Sequence, residues 1–568
     1  MSKDEFSLSV HNLNLFSGET RLLHQVALDI KPGEILGLVG ESGSGKTITS
    51  LSIIQLLQKS GLTSTGSIRL KGIDRNVLDL SEHELQKVRG NHVSMIFQEP
   101  MTALNPLMTC GNQVKEIIVQ HRKLNDHEAK SEVLQLFEQV RLPDPSKKYS
   151  SYPHQLSGGQ KQRVMIAMAL ANKPSLIIAD EPTTALDVTV QAEILHLIRD
   201  IVREHQAGLL FISHDLAVVS SLCDRIAVIY RGEIVEEGDS KALMEQPKHP
   251  YTRALLACRP AAHKQGQRLP VVADFLGNDS RPQHKTISMT QEAFDRPADA
   301  YLLEVSKLTK SYASGSVLQK AKTEYLAVNE VSFRVRRGET LGLVGESGCG
   351  KTTLSRCLLM LIPPDSGSIR FQGEEITRLH HDQLQSWRKK VQIIFQDPYS
   401  SLNPRLAVGR AISEAMLFHK IVSSAQEARL KVQDLLVQVG LKPEHYHRYP
   451  HEFSGGQRQR ICIARALSVE PEFIICDESV SALDVSVQAQ ILNLLNDLKS
   501  AFGLSYLFIS HDLSVVRYMS NRIMVMQKGQ IVEEAPSNQL FEHPKTDYTK
   551  KLIAAIPKLQ HENNYVKT

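Results

Sequence analysis

Residues 40–47 read GESGSGKT and residues 345–352 read GESGCGKT, the same string with one substitution. The G-x-x-x-x-G-K-[ST] spacing is a demand on backbone geometry. N–H groups must close on phosphate oxygens in conformations that a Cβ would block, so glycines are required. Gly40, Ser42, Gly43 and Gly45 are read as one cradle and Gly345, Ser347, Gly348 and Gly350 as the other. Lys46 and Lys351 then reach the β- and γ-phosphates, and the hydroxyls of Thr47 and Thr352 ligate Mg²⁺. Each loop follows an apolar run, EILGLVG or ETLGLVG, and opens a helical pattern whose positive N-terminal end favours an anion.

Outward from the loops the duplication continues. LSGGQ at 156–160 returns as FSGGQ at 453–457, and Glu181/Glu478, His214/His511 and Tyr251/Tyr548 keep that same offset of 297 residues. Residues 1–260 therefore form one domain and 301–568 a second. Between them, 261–300 mixes Pro, Gly, Asn, Asp and Gln without helical period, which reads as a linker. Within each copy, short apolar runs such as Ile35 to Val39, Leu176 to Ala179, Leu209 to Ile212 and Ile226 to Tyr230 alternate with helical patterns. That is the mark of an α/β domain with a mainly parallel sheet. A run before each SGGQ, with Val133, Leu134, Phe137 and Val140 on one helical face, adds a small helical subdomain to each copy.

Composition narrows the class. The 568 residues are 42% hydrophobic and 23% charged, the profile of a soluble globular protein of about two or three domains. A net charge of +4, spread along the chain, gives no nucleic-acid footprint. Seven cysteines without CxxC or Cys/His spacing read as free thiols in a reducing compartment. The start MSKDEFSLSV carries charges and no 7-to-15-residue apolar stretch, so no secretory signal is expected, and no apolar run approaches the roughly 18 residues that span a bilayer, so the chain is expected to be cytosolic or peripheral.

Two further constellations carry chemistry. In LIIADE and FIICDE an apolar strand ends in paired acids. Asp180 and Asp477 suit the Mg²⁺ shell, and Glu181 and Glu478 suit the polarisation of an attacking water. Such a pair alone is often a solvated turn; its repetition at the same place after each phosphate loop argues otherwise. In SGGQ, Ser157 with Gln160 and Ser454 with Gln457 fit the S-x-x-Q capping box, so each serine should begin a helix. Gly158, Gly159, Gly455 and Gly456 exceed what a cap needs, and close approach to a phosphate would explain them.

Taken in order, the phosphate loop, a Q-loop (Gln98 in IFQEP, Gln396 in IFQDP), SGGQ, the acidic strand end, a D-loop (TALD at 184–187, SALD at 481–484) and a histidine in ISHD resemble the nucleotide-binding domain of ABC transporters, twice over nearly the whole chain. The resemblance implies ATP and Mg²⁺ as cofactors and head-to-tail pairing. Ser454, Gly455, Gly456 and Gln457 would close on ATP at Lys46, and Ser157, Gly158, Gly159 and Gln160 on ATP at Lys351. It further implies that Gln98 and Gln396 sense Mg²⁺ or water, that Asp187 and Asp484 bridge the two sites, and that His214 and His511 contact the γ-phosphate. Phe16 and Tyr312 are candidates to stack on adenine.

EPMTALNP and DPYSSLNP after the Q-loop glutamines, YPHQ and YPHE before the signatures, and the endings KHPYTRALLACRP and HPKTDYTKKLIAAIP resemble the dipeptide, oligopeptide and nickel importers. That implies a peripheral ATPase on the cytoplasmic face of the inner membrane, one chain per complex, with two membrane-spanning permeases and an extracytoplasmic binding protein as partners. Members of that family often hold an iron–sulfur cluster on cysteines after HPYT; only Cys258 stands there, so no cluster is expected. Soluble twin ATPases of the ribosome are the other class with two copies, but they carry a long charged helical linker, unlike 261–300.

Overall fold

The apolar runs become the buried strands of two α/β units. The computed structural model describes residues 6–57, 61–184, 186–277, 301–314, 323–481 and 483–556. Among these, the first unit runs to Leu256 and takes in 272–277, and the second joins 257–271 to 301–556.

In the first unit one sheet has the strand order Val93–Ile96, Leu176–Asp180, Gly208–Ser213, Ile35–Val39, Arg225–Tyr230, Glu233–Asp239. All pairs are parallel except the last. Ile35–Val39, Leu176–Asp180 and Gly208–Ser213 are buried along their whole length, which is why they read as continuous apolar runs and not as alternating ones. An antiparallel sheet of Thr20–Ile30, Leu8–Ser17 and Leu62–Leu70 lies over them. Its Leu8, Val10, Leu13 and Leu15 share one core with Leu36 and Leu38 of the central strand.

The second unit repeats the design, with Val391–Ile394, Phe473–Asp477, Ser505–Ile509, Thr340–Val344, Arg522–Gln527 and Gln530–Pro536 in that order. Its antiparallel sheet contains Thr323–Arg336, Tyr301–Ser314, Ser366–Phe371 and Glu374–Glu375.

The helical subdomain comprises Cys110–His121, Asp126–Gln139, Pro145–Tyr149 and Gly158–Leu170. Asn125 starts its second helix with a capping box to Glu128. Ala129, Val133, Phe137 and Val140 form the buried stripe, while Leu134 is half-buried beside it. The second copy buries Ala428, Val432, Leu436 and Val439 from Ala425–Gln438 and its cap in the same way.

Residues 257–271 pack on the second unit through specific bonds. The Leu269 N–H donates to Asn493 Oδ1 at 2.9 Å and its carbonyl accepts from Asn493 Nδ2 at 2.8 Å. Arg268 Nη1 lies 2.9 Å from both carboxylate oxygens of Asp497, and the Tyr518 hydroxyl donates to the Gln267 carbonyl at 2.6 Å. Backbone bonds of this kind leave no periodicity in a sequence, so this part of 261–300 shows order that composition did not suggest. Residues 278–300 lie outside the described residues. All seven cysteines are buried and outside any disulfide. Among the described residues no helix is long and apolar enough to cross a membrane.

Candidate functional site

Strand order decides where the functional side chains meet. Gln98, Glu181, His214 and the first phosphate loop each follow the carboxyl end of one of four neighbouring parallel strands, where open α/β sheets bind ligands. Gln396, Glu478, His511 and the second loop do the same.

The loops are wound around their lysines. Lys46 is 6% exposed, and its Nζ donates to the carbonyls of Gly40 and Glu41 at 2.7 and 2.9 Å. Lys351 repeats this with Gly345 and Glu346 at 2.7 and 3.1 Å. Gly45 and Gly350 cap the following helices at φ 115° and 114°, and a Cβ on Gly350 would stand 2.0 Å from the Ala327 carbonyl oxygen. Ser42, Gly43 and Thr47 face solvent around the buried ammonium group, as do Ser347, Gly348 and Thr352. The result is an anion cradle of backbone N–H groups, a cation and a helix N-terminus.

Beside each cradle sits an acid cluster. Glu181 Oε2 accepts from Gln98 Nε2 at 2.9 Å and from the Thr184 hydroxyl at 3.0 Å, and its Oε1 lies 3.1 Å from His214 Nδ1. Glu478 Oε2 accepts from Gln396 Nε2 at 2.8 Å and lies 3.3 Å from His511 Nδ1. Both glutamates sit in the left-handed region, φ 47° and 49°, a strain of about 1 kcal/mol each that persists only where the surroundings over-determine it. Their N–H groups donate to Ile212 and Ile509 of the neighbouring strand at 2.9 Å, which fixes them there.

Electrostatics separates the paired acids. Burial pushes the Asp180 carboxyl up, against a Thr47 hydrogen bond and Lys46 that act downward. Burial also acts upward on Glu181, but His214, Lys46 and Thr184 outweigh it and hold the carboxyl below its usual range. Asp477 and Glu478 divide in the same directions. On His511 burial acts downward, yet the hydrogen bond and charge of Glu478 raise it above the ordinary histidine value. Each cluster thus pairs a carboxylate kept ionised with a histidine whose Nδ1 is already committed.

The sequence profile described as "ABC transporter" matches residues 23–184 and 328–481, more than half of the chain. That described as "Oligopeptide/dipeptide transporter, C-terminal region" matches 235–278 and 532–568. The glutathione import ATP-binding protein GsiA of Pectobacterium atrosepticum is 45% identical over 559 residues, covering 97% of this chain and 89% of that protein. Its namesake from Escherichia coli strain K12 is 45% identical over 567 residues with the same coverage. The chain belongs to the ABC transporter family. It is an ATPase with two ATP-binding domains and energises an importer of the oligopeptide/dipeptide type.

As an ABC ATPase it carries both signature helices in the expected form. The Ser157 hydroxyl oxygen accepts from the Gln160 N–H at 3.4 Å while Gln160 Oε1 accepts from the Ser157 N–H at 3.3 Å. Ser454 and Gln457 repeat the box at 3.4 and 3.1 Å. The signature glycines divide their work. A Cβ on Gly159 or Gly456 would stand 2.6 or 2.3 Å from Val190 or Val487, so the second glycine is needed for packing inside its own copy. Among the described residues, apart from chain neighbours and the helix's own backbone, a Cβ on Gly455 would meet no heavy atom within 4 Å and one on Gly158 only Leu186 at 3.6 Å, so the first glycine leaves the helix tip open. Asp187 and Asp484 stand at the N-caps of Val188–His205 and Val485–Phe502; Ala185 and Ala482, one step into each D-loop, lie outside the described residues.

The aromatic candidates sit on the antiparallel sheets. Phe16 is half-buried beneath the Arg21 guanidinium, 5.9 Å from its ring centroid. Tyr312 is exposed and pairs across its hairpin with Tyr325. Of this cross-strand pair it is Tyr325, which no motif marked, whose hydroxyl reaches the loop, donating to the Gly348 carbonyl at 2.6 Å. Its cross-strand pairing appears only once the register is known. Thr184, on the Glu181 carboxylate, was likewise visible beforehand only as part of a D-loop string.

Proposed function

We propose that this ABC ATPase hydrolyses Mg·ATP at two sites to drive uptake of a glutathione-like short peptide. By the head-to-tail pairing that the resemblance implies, Ser454 would serve the nucleotide at Lys46 and Ser157 the one at Lys351. The observation that carries hydrolysis is the Gln–Glu–His cluster beside each cradle, present twice.

Glu181 and Glu478, held ionised, accept the proton of the attacking water, which Gln98 and Gln396 help to place. His214 and His511, anchored through Nδ1, turn Nε2 to the γ-phosphate. Lys46 and Lys351 leave the loop carbonyls for the β- and γ-phosphates. Phe16 in one copy and Tyr312 in the other offer the adenine an aromatic face.

The residues fit a magnesium ion. Asp180 Oδ1 is buried without a hydrogen-bond partner among the described residues, next to the Thr47 hydroxyl, and hard oxygen donors of this kind suit that cation. Thr47, Asp180 and Gln98 would hold it in the first copy, and Thr352, Asp477 and Gln396 in the second. Bound there, it would neutralise charge on the phosphate oxygens.

The partners are two permeases and an extracytoplasmic binding protein, and one chain serves each complex at the cytoplasmic face of the inner membrane. A groove of about 690 Å³ in the first unit, lined by Ile54, Val93, Phe97, Met108, Ile117 and Met165, supports permease docking. Leu56 and Phe97 at its wall are 43% exposed, an apolar surface of the kind that accepts a short helix. The experiment is affinity capture of the chain carrying Glu181→Gln and Glu478→Gln, with ATP, from detergent-solubilised cells, followed by uptake of labelled glutathione and of a labelled dipeptide in cells with Lys46→Ala. Two multi-span proteins captured, and uptake lost while capture persists, are expected; ribosomal proteins without a permease refute the reading.

A further inference from the structure

Tyr251 and Tyr548 stand at equivalent places in the two C-terminal segments, outside the ABC-profile matches. Tyr251 is fully buried, its ring 4.3 Å from that of Tyr230 between centroids, and its hydroxyl oxygen accepts the backbone N–H of Glu41 at 2.9 Å. The Tyr548 hydroxyl accepts the N–H of Glu346 at 3.1 Å. Glu41 and Glu346 are the second residues of the phosphate loops, and their carbonyls hold Lys46 and Lys351. In each loop one residue is therefore fixed by a tyrosine on its N–H side and by the phosphate-binding lysine on its carbonyl side.

The tyrosines are themselves placed by a carboxylate. Glu236, on the edge strand Glu233–Asp239, accepts from the N–H groups of Lys248 and His249 at 2.7 and 3.0 Å, just before the helix Pro250–Ala257. Glu533 does the same for Lys545 and Thr546, at 2.8 and 3.0 Å, before Asp547–Ala554. The sheet edge thus fixes the start of a helix, and the helix reaches back to the loop.

We propose that Tyr251 and Tyr548 are positioning residues for ATP, through which the C-terminal segment holds the phosphate loop in its binding shape. The inference rests on the ATPase reading. A loop tied at Glu41 or Glu346 loses less conformational freedom when phosphate arrives; without the hydroxyl, the nucleotide must order that peptide itself. One hydrogen bond of this kind is worth about two- to tenfold in an equilibrium constant.

The test uses the purified full chain as wild type, Tyr251→Phe, Tyr548→Phe and the double variant, which keep the rings and remove the hydroxyls. Steady-state hydrolysis, binding of a fluorescent ATP analogue and thermal unfolding with and without ATP are measured. The proposal expects KM and Kd for nucleotide about two- to tenfold higher, kcat within about twofold, and a smaller ATP-induced rise in the unfolding midpoint. Unchanged nucleotide affinity, with or without a lower midpoint of the free protein, overturns it and leaves the tyrosines as packing residues. A wild-type chain that neither binds nor hydrolyses ATP would instead refute the ATPase reading. Should Tyr251→Phe fail to fold, Tyr548→Phe, whose ring is half-buried, decides.

Discussion

Replacing Glu181 and Glu478 with glutamine, one at a time, tests whether the two sites are equal engines. The substitution is isosteric and leaves the neighbours in place, so the loss it produces is chemical. A positioned base contributes about 10²–10⁴-fold, and each variant should lose that at its own site. The structure also bounds the inequality between them. The bonds to Gln98 and Gln396 differ by 0.1 Å (2.9 and 2.8 Å), and those to His214 and His511 by 0.2 Å (3.1 and 3.3 Å). The chemical difference is one hydroxyl: Thr184 donates to the Glu181 carboxylate at 3.0 Å, whereas Ser481, at the equivalent place, donates to the Glu478 backbone carbonyl at 2.8 Å. A hydrogen bond to the carboxylate lowers its basicity by about 0.5–1.5 kcal/mol, at most about tenfold in rate. Phosphate release from the purified full chain at saturating ATP and near-neutral pH should therefore give two single variants within about tenfold of each other. A ratio beyond about a hundredfold would refute the claim that both clusters are competent.

Other consequences lie away from the acid cluster. Lys499 is buried, its Nζ donates to the Thr340 hydroxyl at 2.7 Å, and burial pushes it down to about 8. Because its folded value lies below the unfolded one, the charge opposes folding fully below about pH 8, and that penalty fades as pH rises toward about 10. A shift of this size is worth about 3 kcal/mol, less about 1 kcal/mol for the lost hydrogen bond, so Lys499→Met should stabilise the chain by about 2 kcal/mol at neutral pH and destabilise it by about 1 kcal/mol at high pH, where only the hydrogen-bond loss remains, read from urea midpoints across that range. Gly350→Ala would drive a methyl group into the Ala327 carbonyl and should abolish fluorescent-ATP binding at the second site; undiminished binding there would contradict the cradle. Asn493→Ala strips both backbone partners from Leu269 and should lower stability by about 2–4 kcal/mol while speeding proteolysis within 257–271; an unchanged cleavage rate would show that those residues are held by something else.

Local chemistry alone identified the phosphate loops, both capping boxes and the helical subdomains, because each rests on a short-range rule: φ > 0 for glycine, a serine facing N3, an apolar stripe at helical period. Duplication made those signals decisive, since the same residues returned at one offset. The same short-range rules are silent on particulars. Sequence offers phosphate approach as the reason for both signature glycines; the packing of Val190 and Val487 on Gly159 and Gly456 is a second reason that only the structure supplies. Leu134, which helical period sets on the same face as Val133, Phe137 and Val140, lies at its half-buried margin.

What only the tertiary structure decided is which distant residues touch. Strand order brings Gln98, Glu181 and His214, far apart in sequence, to one end of one sheet. Hairpin register selects Tyr325 as the ring at the loop. Folding back of the C-terminal helices sets Tyr251 and Tyr548 on the loop backbone, and side-chain bonds to single peptide groups fix 257–271. The physical reason is common to all of these: a periodic apolar pattern records which face of an element is buried, but a hydrogen bond between two elements records only their relative placement, and that exists once the sheet has formed.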